Sequence, residues 1–405
     1  MKKITINIIL VFCLYIPTKS QNTQDNVIKR MTNDIKYLAS DELEGRKIGS
    51  KSEKLAAEYI INRFKEKNLL PKGEDGYIQT FQASVNIHPH SNKKKKITGL
   101  NVIGLMNNNQ DETIVIGAHF DHLGYGGNNS LHTEKEIHNG ADDNASGVSI
   151  LINLIDQLKD NKLYNYLFIG FSGEEEGLLG SSYYAKNPTI DLEKVRFMIN
   201  FDMVGRLNQK NELAINGVGT SSKWNKLLES SNKFKFKLIK SDPGIGPSDH
   251  TSFYLQNIPV LHFFTGQHED YHKPSDDIEK INFIGMFNIM EYVDNIIEKS
   301  IKIKTFDFQE TVNDTSITPK FTVTLGIMPD YLFNEKGIRV DGVSKNKTAY
   351  KYGVKKGDII IQMGNVQTLD MMKYMEALSL FNKKDSTSII IQRNKETIIL
   401  PIVFQ

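Results

Sequence analysis

The sequence predicts an α/β fold built on a mostly parallel, mixed sheet with helices on both faces, followed by a small β-rich domain. Three features predict it. Between Asn101 and Ile303, short apolar runs alternate with amphipathic stretches of helical length, the pattern of strands covered from both sides. Several of these runs end in an imidazole or a carboxylate, and open α/β sheets carry their chemistry at the carboxyl ends of the strands. Near Asp307 the composition turns polar and threonine-rich, and short β runs dominate the remaining C-terminal residues.

A chain of 405 residues is too long for one small domain, and 39% hydrophobic residues suffice for a large core. The net charge of +2 gives no electrostatic reason to expect nucleic acid, and without Lys2, Lys3 and Lys19 the chain is near neutral. Met1 to Ser20 opens with two lysines, continues as the apolar run Ile4 to Ile16 and ends in Pro17 and small or polar residues. This is the build of a secretory signal peptide, and the run is short for a membrane span. The expectation is an exported protein, periplasmic or secreted, with no membrane span after signal removal. Cys13 is the single cysteine. Its loss with the signal excludes disulfides, thiol catalysis and cysteine-held zinc.

Taken in order, Asp25 to Leu70 reads as helical. Leu55, Ala56, Tyr59, Ile60 and Phe64 form one apolar face, ended by Leu70-Pro71. Ser40 to Ser50 is polar and reads as a loop, and the lysine run Lys93 to Lys96 as a solvated hairpin or loop. Strands are expected at 101–106, 113–118, 164–171, 195–201 and 258–264. Helices are expected at 148–158, 178–186, 221–230 and 283–303. Residues 307–320 read as a linker closed by Pro319. Residues 321–405 hold β runs at 322–327, 337–343, 358–361, 388–392 and 397–403 around one helical stretch, 369–381. The domain reading is therefore a signal peptide 1–20, an α/β domain 21–306, the linker 307–320 and a β-rich domain 321–405.

The candidate chemistry lies at strand ends. His119, Asp143, Glu175, Asp202 and a late histidine are a ligand set suited to zinc or a harder divalent cation. Charged groups at such places are costly unless paired or ligating. Two histidines and three carboxylates exceed what one tetrahedral zinc uses, whereas a bridging carboxylate can serve two ions. Glu174 and Glu175 are adjacent, so one can ligate while its neighbour acts as general base. Asp121, two residues after His119, is placed to hydrogen-bond the far ring nitrogen and fix its tautomer.

Six stretches carry a resemblance: GAHFDHLG (Gly117 to Gly124), NGADDNASG (Asn139 to Gly147), GEEEGLLGS (Gly173 to Ser181), NFDMVGR (Asn200 to Arg206), SDHTSFY (Ser248 to Tyr254) and DYHKPSDD (Asp270 to Asp277). With LEGRKIGS near Leu43, they make Asp34 to Ile303 similar to the secreted co-catalytic di-zinc aminopeptidases, whose zinc exopeptidase fold is shared with glutaminyl cyclases. The resemblance implies two Zn²⁺ per chain held by His119, Asp143, Glu175, Asp202 and His272. Asp143 would bridge, with His119 and Asp202 on one ion and Glu175 and His272 on the other. It implies Glu174 as general base, Asp121 behind His119, and Tyr271 polarising the scissile carbonyl. It also implies a cis peptide between Asp143 and Asn144. Asp142 and His268 are the rivals of Asp143 and His272, set aside by motif register. The C-terminal segment resembles a PDZ domain, through Thr324-Leu325-Gly326-Ile327 and Gly353 to Ile360, and such domains add a peptide as an extra strand.

The implied function is hydrolysis of N-terminal residues from peptides with a free N-terminus. A C-terminal peptide is the implied ligand of the PDZ-like domain. The competing readings are a glutaminyl cyclase-type transferase, which uses one zinc, and a peptide-binding protein with an idle peptidase fold. Loops such as Ser241 to Phe253 are expected to shape the substrate pocket.

Overall fold

The computed structural model describes residues 19–86, 94–127, 129–311, 323–330, 333, 335–343, 347–369 and 371–405. The expected signal peptide, apart from Lys19 and Ser20, and residues 312–320 of the expected linker lie outside these. Among the described residues, no helix is long and apolar enough to cross a membrane.

The chain begins with helices α1 (Lys19–Leu38) and α2 (Lys51–Glu66). Ser50 caps α2 by accepting the Glu53 N–H, and the stretch Ser40 to Ser50, expected as a loop, holds a short 3-10 helix at Asp41–Leu43 followed by turns. A nine-stranded sheet comes next, made of β1 (Leu70–Pro71), β2 (Ile78–Asn86), β3 (Lys94–Met106), β4 (Thr113–His119), β5 (Asn165–Phe171), β6 (Val195–Phe201), β7 (Glu212–Asn216), β8 (Lys237–Ser241) and β9 (Val260–Phe264). The strand order is β1-β3-β5-β4-β6-β9-β7-β8, with β2 paired to β3. The central strands β5, β4, β6 and β9 run parallel, while β3 and β7 join them antiparallel, so the sheet is mixed as expected. Lys94 to Lys96 lie in the β2–β3 ladder, which makes the lysine run part of a hairpin.

The helices between strands are α3 (Gly147–Leu158), α4 (Leu179–Lys186), α5 (Trp224–Ser231), α6 (His250–Tyr254) and α7 (Phe283–Ser300). Side chains alternate across each strand. Ile114 and Ile116 of β4 therefore join a core with Met31, Ile35, Leu151, Leu154, Ile289 and Val293 of α1, α3 and α7. Val115 turns to the opposite face and packs with Tyr184, Phe253 and Tyr254 of α4 and α6. Helices cover both faces. Strands β7 and β8 were not legible in the sequence, because Glu212–Asn216 and Lys237–Ser241 are short and half-polar.

Residues 307–311, read from sequence as the start of a linker, are bonded to this unit. Asp307 accepts from Ser221 and Ser222, the Gln309 N–H donates to the Thr220 carbonyl, and the Thr311 N–H donates to Tyr254 Oη at 3.0 Å.

The C-terminal unit has its own core, including Leu325, Val340, Ile360, Ala377, Ile389, Ile391 and Phe404. Its six strands are β10 (Ile327–Pro329), β11 (Ile338–Val343), β12 (Ile359–Met363), β13 (Val366–Gln367), β14 (Ser386–Arg393) and β15 (Glu396–Val403). Helices α8 (Thr348–Lys351) and α9 (Met371–Ser379) accompany them. Of the strand expected over 322–327, Thr322 lies outside the described residues and 323–326 are not extended strand; β10 starts at Ile327, just after Gly326 at φ +73° breaks extended backbone.

Candidate metal centre

Sheet register brings the first ligands together. Strands β4 and β6 are parallel neighbours in which Gly117 pairs with Asn200. Two residues on along each strand stand His119 and Asp202, which keep the same offset and so lie side by side. His119 Nε2 is 3.3 Å from Asp202 Oδ1. The Asp143 turn, at the start of α3, is tied to the end of β6 by Asn144. Its amide donates to the Phe201 carbonyl at 2.9 Å, and its Oδ1 accepts the N–H groups of Gly147 and Met203. A Cβ at position 147 would sit 2.4 Å from Asn144 Oδ1, which explains the glycine that ends the motif. The Asp143–Asn144 peptide is cis, as the resemblance implied.

Asp143 stands between two groups. Its Oδ1 is 3.3 Å from His119 Nε2, and its Oδ2 is 3.2 Å from His272 Nε2. His272 Nε2 is in turn 3.1 Å from Glu175 Oε2. Two donors on one tetrahedral zinc with bonds near 2.0–2.1 Å are separated by about 3.3 Å. His119, Asp143 and Asp202 form one group that could hold a metal ion, and Asp143 and Glu175 form a second with His122. His272 Nε2 stands at a comparable spacing from the same two carboxylates, so that His272–Asp143–Glu175 is a second triad beside His119–Asp143–Asp202. His122 also reaches the second triad, but its Nδ1–H donates to Glu175 Oε1 at 2.6 Å, a hydrogen-bond distance too short for two donors on one ion. His122 orients Glu175 from behind. Sequence reading missed it, although it stands three residues after His119 in the same motif.

Both ligand imidazoles have their tautomers set by carbonyls. His272 Nδ1–H donates to the Asn129 carbonyl at 2.7 Å, and His119 Nδ1–H to the Asp121 carbonyl at 3.3 Å, which turns each Nε2 toward Asp143. The Asp121 carboxylate, expected behind His119, has Oδ1 3.7 Å from His119 Nδ1 and also accepts the Glu174 N–H at 3.2 Å. Asp121 thus faces His119 with both its carbonyl and its carboxylate, and holds Glu174 as well.

The rivals are separated. Asp142 accepts from the Gly205 N–H at 2.6 Å, from Ser146 Oγ at 3.0 Å and from His268 Nε2 at 3.1 Å, so both rivals hold each other outside the triads. Asp276, also missed, accepts the N–H groups of Asp142 and Asp143 and anchors the bridging turn.

The electrostatics arise from a surplus of buried carboxylates. Burial alone would lower His119 and His272, but Asp202, Glu174, Asp121 and Asp143 around the first, and Glu175 and Asp143 around the second, outweigh it and hold both imidazoles well above their ordinary values. Burial pushes Glu175 up, yet His272 and His122 bring it down to about 2. Glu174 goes the other way: burial, with Asp202 and Glu175 nearby, lifts it well above the carboxylate range. The neighbouring glutamates are driven in opposite directions by their surroundings. Cations entering here would displace the imidazole protons.

A cavity opens on the triads, lined by Asp143, Glu174, Asp202 and His272 together with Met203, Phe264 and Tyr271 among others. Tyr271 stacks on His272 with ring centroids 3.8 Å apart. From the stretch Ser241 to Phe253 only Pro247 lines the cavity; Asn216, His262 and Gln267 supply its polar wall.

Residues 101–296 match the model of Peptidase family M28. Aminopeptidase YwaD from Bacillus subtilis is 30% identical over 52% of this chain and 46% of its own length. The chain thus spans about half the length of the curated relatives it matches. A zinc aminopeptidase structure from Bacillus subtilis superposes with a TM-score of 0.55 at 20% identity, covering 71% of this chain and 98% of that one. A glutaminyl cyclase from Bacteroides thetaiotaomicron, bound to N-acetylhistamine, gives the same TM-score at 17% identity, covering 68% of this chain and 97% of that one. The α/β unit has the zinc exopeptidase fold.

Proposed function

We propose that the chain is a zinc metallo-aminopeptidase of the M28 type that removes N-terminal residues from peptides. The observation that carries this reading is the pair of triads sharing Asp143, in each of which the imidazole Nε2 lies 3.1–3.3 Å from both carboxylates. His119, Asp143 and Asp202 would hold one zinc, and Asp143, Glu175 and His272 the other. Bound there, the ions supply Lewis acidity to the scissile carbonyl and lower the pKa of attacking water.

The chain's own residues do the rest. Glu174 lines the cavity beside Asp143 without being a member of either triad, and it takes the proton of water and returns it to the leaving amine. Asp121 holds the Glu174 backbone, and His122 fixes Glu175. Tyr271, against His272 at the cavity wall, is the candidate to polarise the carbonyl. The signal-like start, residues 1–20, supports export to the periplasm or beyond.

The test is zinc quantitation combined with hydrolysis of leucyl- and other aminoacyl-arylamides. Two zincs per chain and chelator-sensitive release of the N-terminal residue are expected. A two-zinc protein that hydrolyses none of them would refute the reading. A one-zinc protein that closes an N-terminal glutamine and releases ammonia would be a cyclase.

For the C-terminal unit we propose a PDZ-like peptide-binding role, supported by β10 lying at the end of its sheet order, paired with β11. An added peptide strand would extend that edge. Screening the unit against peptides with free C-termini tests it; binding that ignores a blocked C-terminus would argue against carboxylate recognition.

A further inference from the structure

Arg46 is the most deeply buried cation of the peptidase unit among the described residues, with no exposed surface. It stands in the turn Glu44-Gly45-Arg46, whose three residues all have positive φ, at 44°, 69° and 49°. Only a glycine fits the middle position, since a Cβ there would lie 2.5 Å from the His138 carbonyl oxygen and 2.6 Å from that of Gly124. The turn aims the guanidinium inward, behind the metal triads.

Its hydrogen bonds run to backbone carbonyls. Nε donates to the Phe120 carbonyl at 2.8 Å, Nη1 to those of Leu38 and Asn139 at 2.5 Å each, and Nη2 to that of Gly140 at 3.1 Å. Phe120 succeeds the ligand His119, and Asn139 and Gly140 lead into the Asp142-Asp143 turn. The backbone of the same turn grips the first loop again, where the N–H groups of Gly124 and His122 donate to the carbonyls of Gly45 and Arg46. One planar side chain thus spans α1, the His119 loop and the Asp143 turn. A guanidinium has five N–H donors in a fixed fork, whereas an ammonium cannot reach carbonyls on opposite sides at once.

We infer that Arg46 is a positioning residue for zinc, acting through the Phe120, Asn139 and Gly140 carbonyls to hold His119 and Asp143 at ligating distance. The inference rests on the proposed zinc reading of the triads. A rival account, action by charge, predicts the opposite sign. A fixed cation near a cation site repels the incoming ion, so losing it would tighten zinc. Positioning predicts weaker zinc.

The experiment compares zinc dissociation constants, by competition with a chromogenic chelator, for wild type, Arg46→Lys and Arg46→Met. Arg196→Lys is the control. Arg196 is also buried, but it binds Glu112 and the Ser300 and Ile303 carbonyls at the other end of β6. Both Arg46 variants should bind zinc about tenfold or more weakly, the effect expected of an outer-shell support, with secondary structure retained. Arg196→Lys should lose thermal stability and keep its zinc affinity. Unchanged or tighter zinc in a folded Arg46 variant would overturn the inference. Failure of both Arg46 variants to fold in excess zinc would overturn it too, making Arg46 a plain structural residue. A wild-type protein that binds no zinc would defeat the zinc reading and this inference together.

Discussion

The two triads share one aspartate and differ in what holds the rest. His119 and Asp202 continue adjacent core strands, so their separation is set by a ladder of backbone hydrogen bonds between β4 and β6. Glu175 and His272 come from loops. His272 sits at φ +53° and is gripped by Asn129 and by the Leu131 N–H, which donates to its carbonyl at 2.9 Å. Asn129, itself exposed, also donates to the Glu175 carbonyl at 2.6 Å. Asp270 braces the same loop: burial pushes its carboxyl up, but bonds from Lys280, Ser275 and Arg206 outweigh that and bring it to about 2. One half-site is built by a sheet and the other by loops holding loops. Sheet ladders in a core open only with global unfolding, whereas exposed loops open locally at low cost. The strand-built half should keep its ion longer.

Changes at groups common to both halves should have the largest effects. Asp143→Ala should lose both zincs, and two zincs per chain in that variant by metal analysis would refute the bridge. Glu174→Gln should keep both zincs and lower kcat by about 10²–10⁴-fold, the usual contribution of a general base. Wild-type kcat in that variant would assign the base elsewhere.

The halves then separate. Stepwise dialysis against a weak chelator should release one zinc well before the other, and His272→Ala should abolish the early step while Asp202→Ala abolishes the late one. The reverse assignment would break the comparison. A milder perturbation sharpens it. Asp270→Asn removes charge from the brace without touching a ligand, and should weaken only the early-released ion, by about tenfold. Equal weakening of both ions would show the halves to be coupled through Asp143.

The smallest effect is expected from ending the chain after Thr311, which keeps the bonds to Thr220, Ser221 and Tyr254. Hydrolysis of aminoacyl-arylamides should stay within about twofold, since the C-terminal unit has its own core. Insoluble protein after this truncation would argue for a shared core.

The difference between the halves is also the difference between what sequence and structure each decided. Strand β6 was legible as Val195–Phe201 because an uninterrupted apolar run between polar boundaries has few other uses. His119 and Asp202 were legible because each ends such a run. His272 was chosen over His268 only by motif register, as nothing in Asp270 to Asp277 states which imidazole a loop will turn inward. The tertiary structure decided that, by setting Asn129 behind one ring and Asp142 against the other. It also gave the Asp121 carboxylate a second partner, the Glu174 N–H, beside His119, and brought in His122, Asp276 and Arg46. Periodicity is a local property, written into a few consecutive residues. Loop-to-loop contacts here join residues from 53 to 143 positions apart, and only the folded chain specifies them.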